Sequence, residues 1–74
     1  MAFLPVPIVI SIQLNGERIA SSARNLAELV ADQGWQGKRI AIERNGAIIP
    51  KSQYAATELL EHDALEVVVA VGGG

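Results

Sequence analysis

The chain has 74 residues, no cysteine and a net charge of -2, which leaves room for one small domain and excludes a barrel enzyme, a doubly wound nucleotide-binding fold or a disulfide-stapled scaffold. Half of the residues are hydrophobic and 19% are charged, too apolar for a disordered tail and too interrupted for a membrane span. A domain this small buries only about 60% of the surface its unfolded chain exposes, so a catalytic cleft would consume core it can hardly spare, and the six Lys and Arg are scattered instead of forming a nucleic-acid-binding block.

Residues 1–10 are apolar but have no basic start, contain Pro5 and Pro7 and offer no small-residue cleavage site, so they do not read as a signal peptide. Residues 1–7 are expected to be an extension and the protein to be cytoplasmic. From 8 to 14 the chain alternates, Ile8, Ile10, Ile12 and Leu14 pointing one way and Val9, Ser11 and Gln13 the other, the period of a strand with one buried face. Asn15-Gly16 then predicts a two-residue hairpin turn, because both residues tolerate the positive φ of type I′. Its register pairs Leu14 with Glu17 and Ile12 with Ile19, and sets a second strand at 17–22.

Asn25 followed three residues later by Glu28 resembles a capping box and predicts a helix over 26–33. Leu26, Leu29 and Val30 form one apolar stripe, and Gly34 suits a left-handed stop. Trp35 lies in the loop that follows. It reads as a lid over the helix end in preference to a ligand-stacking platform. Ile40 and Ile42 alternate with Ala41 and Glu43 in a third strand, Asn45-Gly46 repeats the hairpin signal, and Ile42 should face Ile49. Pro50 lacks a backbone donor, so the fourth strand is expected to be short and at an edge. Residues 51–60 connect, with a helical turn, to a turn at His62-Asp63. The last strand, 65–71, places Leu65, Val67, Val69 and Val71 on one face.

The first and last strands are the richest in apolar residues, as expected for central members of a sheet, and the crossover that contains the helix lets them run parallel. The expected class is α+β: a mixed sheet of four or five strands with one main helix across one face, the β-grasp or ubiquitin-like arrangement, over residues 8–71.

No catalytic constellation is visible. There is one His and no Cys, and no acidic spacing fits a metal site; His62 beside Asp63 reads as a solvated turn and the two Asn-Gly pairs as turn chemistry. The informative feature is Gly72-Gly73-Gly74 directly after the last strand, a tip without side chains that can enter a narrow channel while a partner holds its main chain and a nucleotide or nucleophile reaches the carboxylate.

Taken together, Ile12-Gln13-Leu14-Asn15-Gly16-Glu17, Asn25-Leu26-Ala27-Glu28-Leu29-Val30, the stretch 41–54, Thr57-Glu58-Leu59-Leu60 and the closing VVVAVGGG resemble the ThiS-type sulfur carriers of thiamin thiazole biosynthesis from about residue 10 to 74. The chain departs from that pattern in its N-terminal extension and in His62-Asp63, where Gly-Asp is commoner. The resemblance implies that a ubiquitin-activating-like, ThiF-type adenylyltransferase converts the Gly74 carboxylate to an acyl-adenylate with ATP. Sulfur from a persulfide donor then displaces AMP, and the thiocarboxylate serves a ThiG-type thiazole synthase. The carrier is then a co-substrate, not an enzyme, with no cofactor of its own; any metal and the nucleotide belong to the partner, and neither nucleic acid nor membrane is involved.

Three other readings stay open: the small subunit of molybdopterin synthase, a protein-conjugating modifier for which Lys38 and Lys51 would offer chain-forming amines, and a β-grasp binding module with a passive tail. In the leading reading Gly72 and Gly73 thread the partner's channel. Ile48, Val68 and Ala70, apolar on the face away from the helix, are expected to form the partner-docking face.

Overall fold

The computed structural model describes residues 8–70. The N-terminal extension at 1–7, the expected last strand residue Val71 and the glycines Gly72, Gly73 and Gly74 lie outside the described residues. The elements follow as β1 (Ile10–Leu14), β2 (Glu17–Ser21), α1 (Leu26–Asp32), β3 (Ile40–Arg44), β4 (Ala47–Ile49), a single 3-10 turn at Lys51–Gln53 and β5 (Ala64–Val69). They make one five-stranded sheet in the order β2-β1-β5-β3-β4. β1 and β5 run parallel, with Gln13 opposite Ala64 and Leu14 opposite Leu65, while the remaining neighbours are antiparallel.

Local chemistry explains the registers. Asn15 and Gly16 have φ of 52° and 82°, and Asn45 and Gly46 have 51° and 89°, the two consecutive positive values that a type I′ turn requires. Leu14 accordingly faces Glu17 and Ile12 faces Ile19, while Ile42 faces Ile49 in the second hairpin. Pro50 ends β4 after three residues at the sheet edge, where its missing N–H breaks no ladder.

The start of the helix is satisfied from two directions. The Glu28 N–H donates to the Asn25 side chain at 2.9 Å, and the Glu28 carboxylate accepts from the N–H of Arg24, one residue before the cap, at 3.0 Å. The Leu26 and Ala27 N–H groups donate to the carbonyls of Thr57 and Tyr54. The segment after β4 thus supplies acceptors that the first helical turn cannot find within itself. At the other end Trp35 N–H donates to Val30 O at 2.9 Å and Gly34 N–H to Ala31 O at 3.1 Å, with Gly34 at φ 76°. This is a Schellman ending, and it needs the left-handed residue that glycine supplies.

Leu26 and Leu29 are buried against Ile12, Ile42, Leu65 and Val67, closed in by Ala23, Tyr54 and Leu59. Each fully buried aliphatic side chain contributes about 1.5–3 kcal/mol relative to exposure, so this layer between helix and sheet is the chief source of stability.

Five boundaries differ from the sequence expectation. β1 begins at Ile10, and Ile8 and Val9 are 81% and 61% exposed. β2 ends at Ser21, opposite Ile10, so no partner strand remains for the alternating residues that precede it. β2 stops there because the Ser21 hydroxyl accepts the Ala23 N–H at 3.1 Å and turns the chain. The helix ends at Asp32 with Gln33 as its cap. β5 starts one residue early at Ala64 and ends at Val69, opposite the first residue of β3; Val69 faces inward yet is 36% exposed, because the core is not closed at that end.

Candidate functional site

The site follows from where β5 points. β5 is the central strand, flanked by β1 and β3, but β1 reaches only as far as Leu65. Beyond that level β5 runs on beside β3 alone, with Ala41 opposite Val68 and Ile40 opposite Val69. The Ala70 N–H still donates to Arg39 O at 2.8 Å. The described chain therefore ends at Ala70 in the middle of the sheet, at the end where β5 has outrun β1.

Two side chains clamp β5, one toward that end and the other at the start of the strand. The Asn15 amide donates to Val67 O at 3.1 Å and its oxygen accepts the Val67 N–H at 2.7 Å. A side chain thereby continues the β1–β5 ladder past the end of β1. On the opposite edge of β5, Asn45 does the same one turn earlier: its backbone N–H donates to Ala64 O at 2.8 Å and its side-chain oxygen accepts the Ala64 N–H at 2.9 Å. The residues that read as turn formers are also clamps on both sides of the central strand. No local signal in an Asn-Gly pair reveals this, because the partners lie 52 and 19 residues away in sequence.

Asp63 was expected to be solvated and is not. It is 5% exposed, and its carboxylate accepts from Arg44 Nε at 2.9 Å, the Leu60 N–H at 2.9 Å and Asn45 Nδ2 at 3.0 Å. Burial pushes its pKa up, but the Arg44 hydrogen bond, the Leu60 N–H, the Asn45 amide and the Arg44 charge together outweigh burial and hold it below the ordinary value. The adjacent His62 is exposed and none of the carboxylate's hydrogen bonds goes to it, so the two do not form an acid-base pair. His62 has φ 70°, a backbone conformation that favours glycine.

Of the expected docking residues, Ile48 and Val68 are 67% and 66% exposed and Ala70 is exposed. Register puts all three on the face away from α1, since Ile49, Val67 and Ile42 point into the core. They are not one continuous patch: in the row of Ile48 the cross-strand neighbours are Glu43 and Glu66, and Val68 lies in the next row beside Ala41. The face is apolar toward the tail end and carries two carboxylates behind it. Trp35 is half-buried over the helix end and packs against the core. Among the described residues no group of His, Cys, Asp or Glu could hold a metal ion, and no helix is long and apolar enough to cross a membrane.

Known proteins extend this geometry. The family model described as the ThiS family matches residues 10–74. The sulfur carrier protein ThiS of Bacillus subtilis (strain 168) is 35% identical over 65 residues, 85% of this chain and 98% of that protein. A thiazole synthase of Paramagnetospirillum magneticum is 39% identical over 62 residues, 82% of this chain but 19% of the synthase, so the chain spans about a fifth of that relative. Among solved structures, the crystal structure of the thiamine biosynthesis protein ThiS from Geobacter metallireducens superposes with a TM-score of 0.73 at 25% identity, covering 88% of this chain and 100% of that one. The family model running through the terminal glycines, the Bacillus relative matched over nearly its whole length and the shared fold agree, and the chain belongs to the ThiS family.

Proposed function

We propose that this chain is the sulfur carrier of thiamin biosynthesis, loaded at Gly74 and read by its partners through the tail and the outer sheet face. The observation that carries this reading is the family match, which extends through Gly72-Gly73-Gly74 at the end of the central strand. The division follows as an extension at 1–7, a β-grasp domain at 8–71 and a tail at 72–74.

The chemistry needs little from the domain. A carboxylate oxygen of Gly74 attacks the α-phosphorus of ATP and pyrophosphate leaves, giving an acyl-adenylate. The terminal sulfur of a donor persulfide then attacks the carbonyl carbon and AMP leaves, giving an acyl disulfide; a thiol attacks the donor-side sulfur of that bond, forms a disulfide with the donor and releases the thiocarboxylate. Activation and transfer are catalysed by a ThiF-type adenylyltransferase and a ThiG-type thiazole synthase, which hold the nucleotide and any metal; the carrier itself is not a catalyst, and it works in the cytoplasm. The absence of cysteine suits a carrier whose sulfur resides on a carbonyl carbon. That a thiazole synthase contains a segment 39% identical to this chain supports a thiazole synthase as the recipient.

Side-chain-free Gly73 and Gly74 let the partner's backbone approach the reacting carbonyl closely, and Ile48, Val68 and Ala70 supply the docking surface. Deletion of Gly74 tests the assignment. The truncated chain should keep its fold and lose all loading by the adenylyltransferase. Loading of the truncated chain at the rate of the intact one would remove Gly74 from the mechanism.

A further inference from the structure

On the helix side of the molecule, opposite the outer sheet face, a groove of about 420 Å³ opens between the end of α1, the turn that follows it and the 3-10 turn after β4. Val30, Trp35, Ile40 and Tyr54 give it an apolar lining, and Lys38 and Lys51 flank it. No carboxylate lines it, although the chain as a whole has a net charge of -2. Neither lysine takes part in an ion pair among the described residues.

Its polar fittings are specific. Tyr54 is 7% exposed, and no described side chain or backbone group hydrogen-bonds its hydroxyl. Among the described residues no buried side-chain polar atom lacks a partner, so the Tyr54 hydroxyl keeps access to solvent, and Tyr54 is one of the residues that line the groove. Burial raises the Tyr54 pKa. The turn that presents Lys38 is fixed by the Lys38 N–H donating to Trp35 O at 3.0 Å and by Gly37 at φ 78°, the positive value a type II turn needs at its third position. Trp35 is itself held by the Schellman ending of α1, so aromatic wall and cation are placed by one rigid local unit.

We propose that this groove binds a small aromatic acid, a planar body of one or two rings bearing a single carboxylate, sulfonate or phosphate, with the rings against Trp35 and Tyr54 and the anion at Lys38 and Lys51. The volume suits a ligand of that size, since small-molecule sites occupy about 300–1,000 Å³ and combine apolar walls with a few polar groups. The ammonium groups select an anionic ligand over a neutral one, and the aromatic walls select a planar ring. The site owes nothing to the tail, and it stands or falls separately from sulfur loading.

Trp35 is the only tryptophan, so its emission reports on the groove. Titration of the whole chain with 8-anilinonaphthalene-1-sulfonate should quench Trp35 saturably with one site per chain. The uncharged analogue N-phenyl-1-naphthylamine should bind at least tenfold more weakly. Lys38→Glu with Lys51→Glu should weaken the sulfonate at least tenfold with an unchanged circular dichroism spectrum, both lysines being exposed; Lys51→Gln is the milder variant and should act in the same direction. Val68→Glu, on the other face, should leave the affinity unchanged. Equal binding of the neutral probe, or loss of binding in Val68→Glu, would overturn the assignment. So would a Trp35 signal that ignores the sulfonate up to millimolar concentration and responds only to added thiazole synthase, which would give the groove to a protein partner.

Discussion

Asp63 gathers one arginine, one asparagine and one backbone N–H around a single buried carboxylate. Removing it leaves those donors without an acceptor, which costs more than the hydrogen bonds themselves are worth. Asp63→Ala is expected to destabilise the fold by about 2–3 kcal/mol, read as a fall in thermal midpoint on the order of 10 °C. Because its pKa is lower in the folded chain, the contribution is present above the ordinary carboxylate value of 3.8 and is lost as pH falls through the folded value. Acid titration of the unfolding midpoint should therefore show a steeper fall in the native chain than in Asp63→Asn. His62 stands beside it at φ 70°, where a side chain is strained. His62→Gly should stabilise by roughly 0.5–1 kcal/mol, the relief of strain exceeding the added unfolded-state entropy. His62 was legible as a turn residue, but its strain was not, and Asp63 was misread because its partners come from β3 and the segment before it.

Elements were the most legible scale, for a definite reason. Period-2 alternation and Asn-Gly turns specify a strand, its register and its inward face locally, so the pairs Ile12 with Ile19 and Ile42 with Ile49 could be read before any coordinates. What alternation cannot specify is whether a neighbour exists, and Ile8 and Val9 failed on that ground alone. At the helix, Asn25→Ala should cost about 1 kcal/mol, measured by denaturant midpoint at constant m-value; a loss under a few tenths would show that the Thr57 and Tyr54 carbonyls suffice without the cap. On the sheet, Val68 is exposed in the row nearest the tail. Val68→Glu should weaken binding to the adenylyltransferase or thiazole synthase at least tenfold while stability changes by less than about 0.5 kcal/mol. Unchanged binding to both would exclude this face as the docking surface.

At the scale of the whole molecule, chain order carried the topology. A hairpin, a helical crossover and an apolar final strand leave few ways to bury one helix against one sheet; the apolar richness of the first and last strands marks them as its central members, and the crossover is long enough for β1 and β5 to run parallel. The fold was thus legible, whereas the clamps at Asn15 and Asn45 were not, because they join residues that become neighbours only once the sheet is assembled. Gly73→Val adds a β-branched side chain beyond the last core position and should leave thermal unfolding unchanged while sulfur transfer falls at least a hundredfold, by collision with a close-fitting channel. The central claim, that Gly74 carries sulfur, is met most directly by intact mass and fragmentation of the chain after incubation with ATP, the adenylyltransferase and a sulfur donor. The expected result is a mass gain equal to the replacement of one oxygen by one sulfur, located on Gly74 and absent without ATP. An unchanged mass, or sulfur located on any other residue, would contradict it.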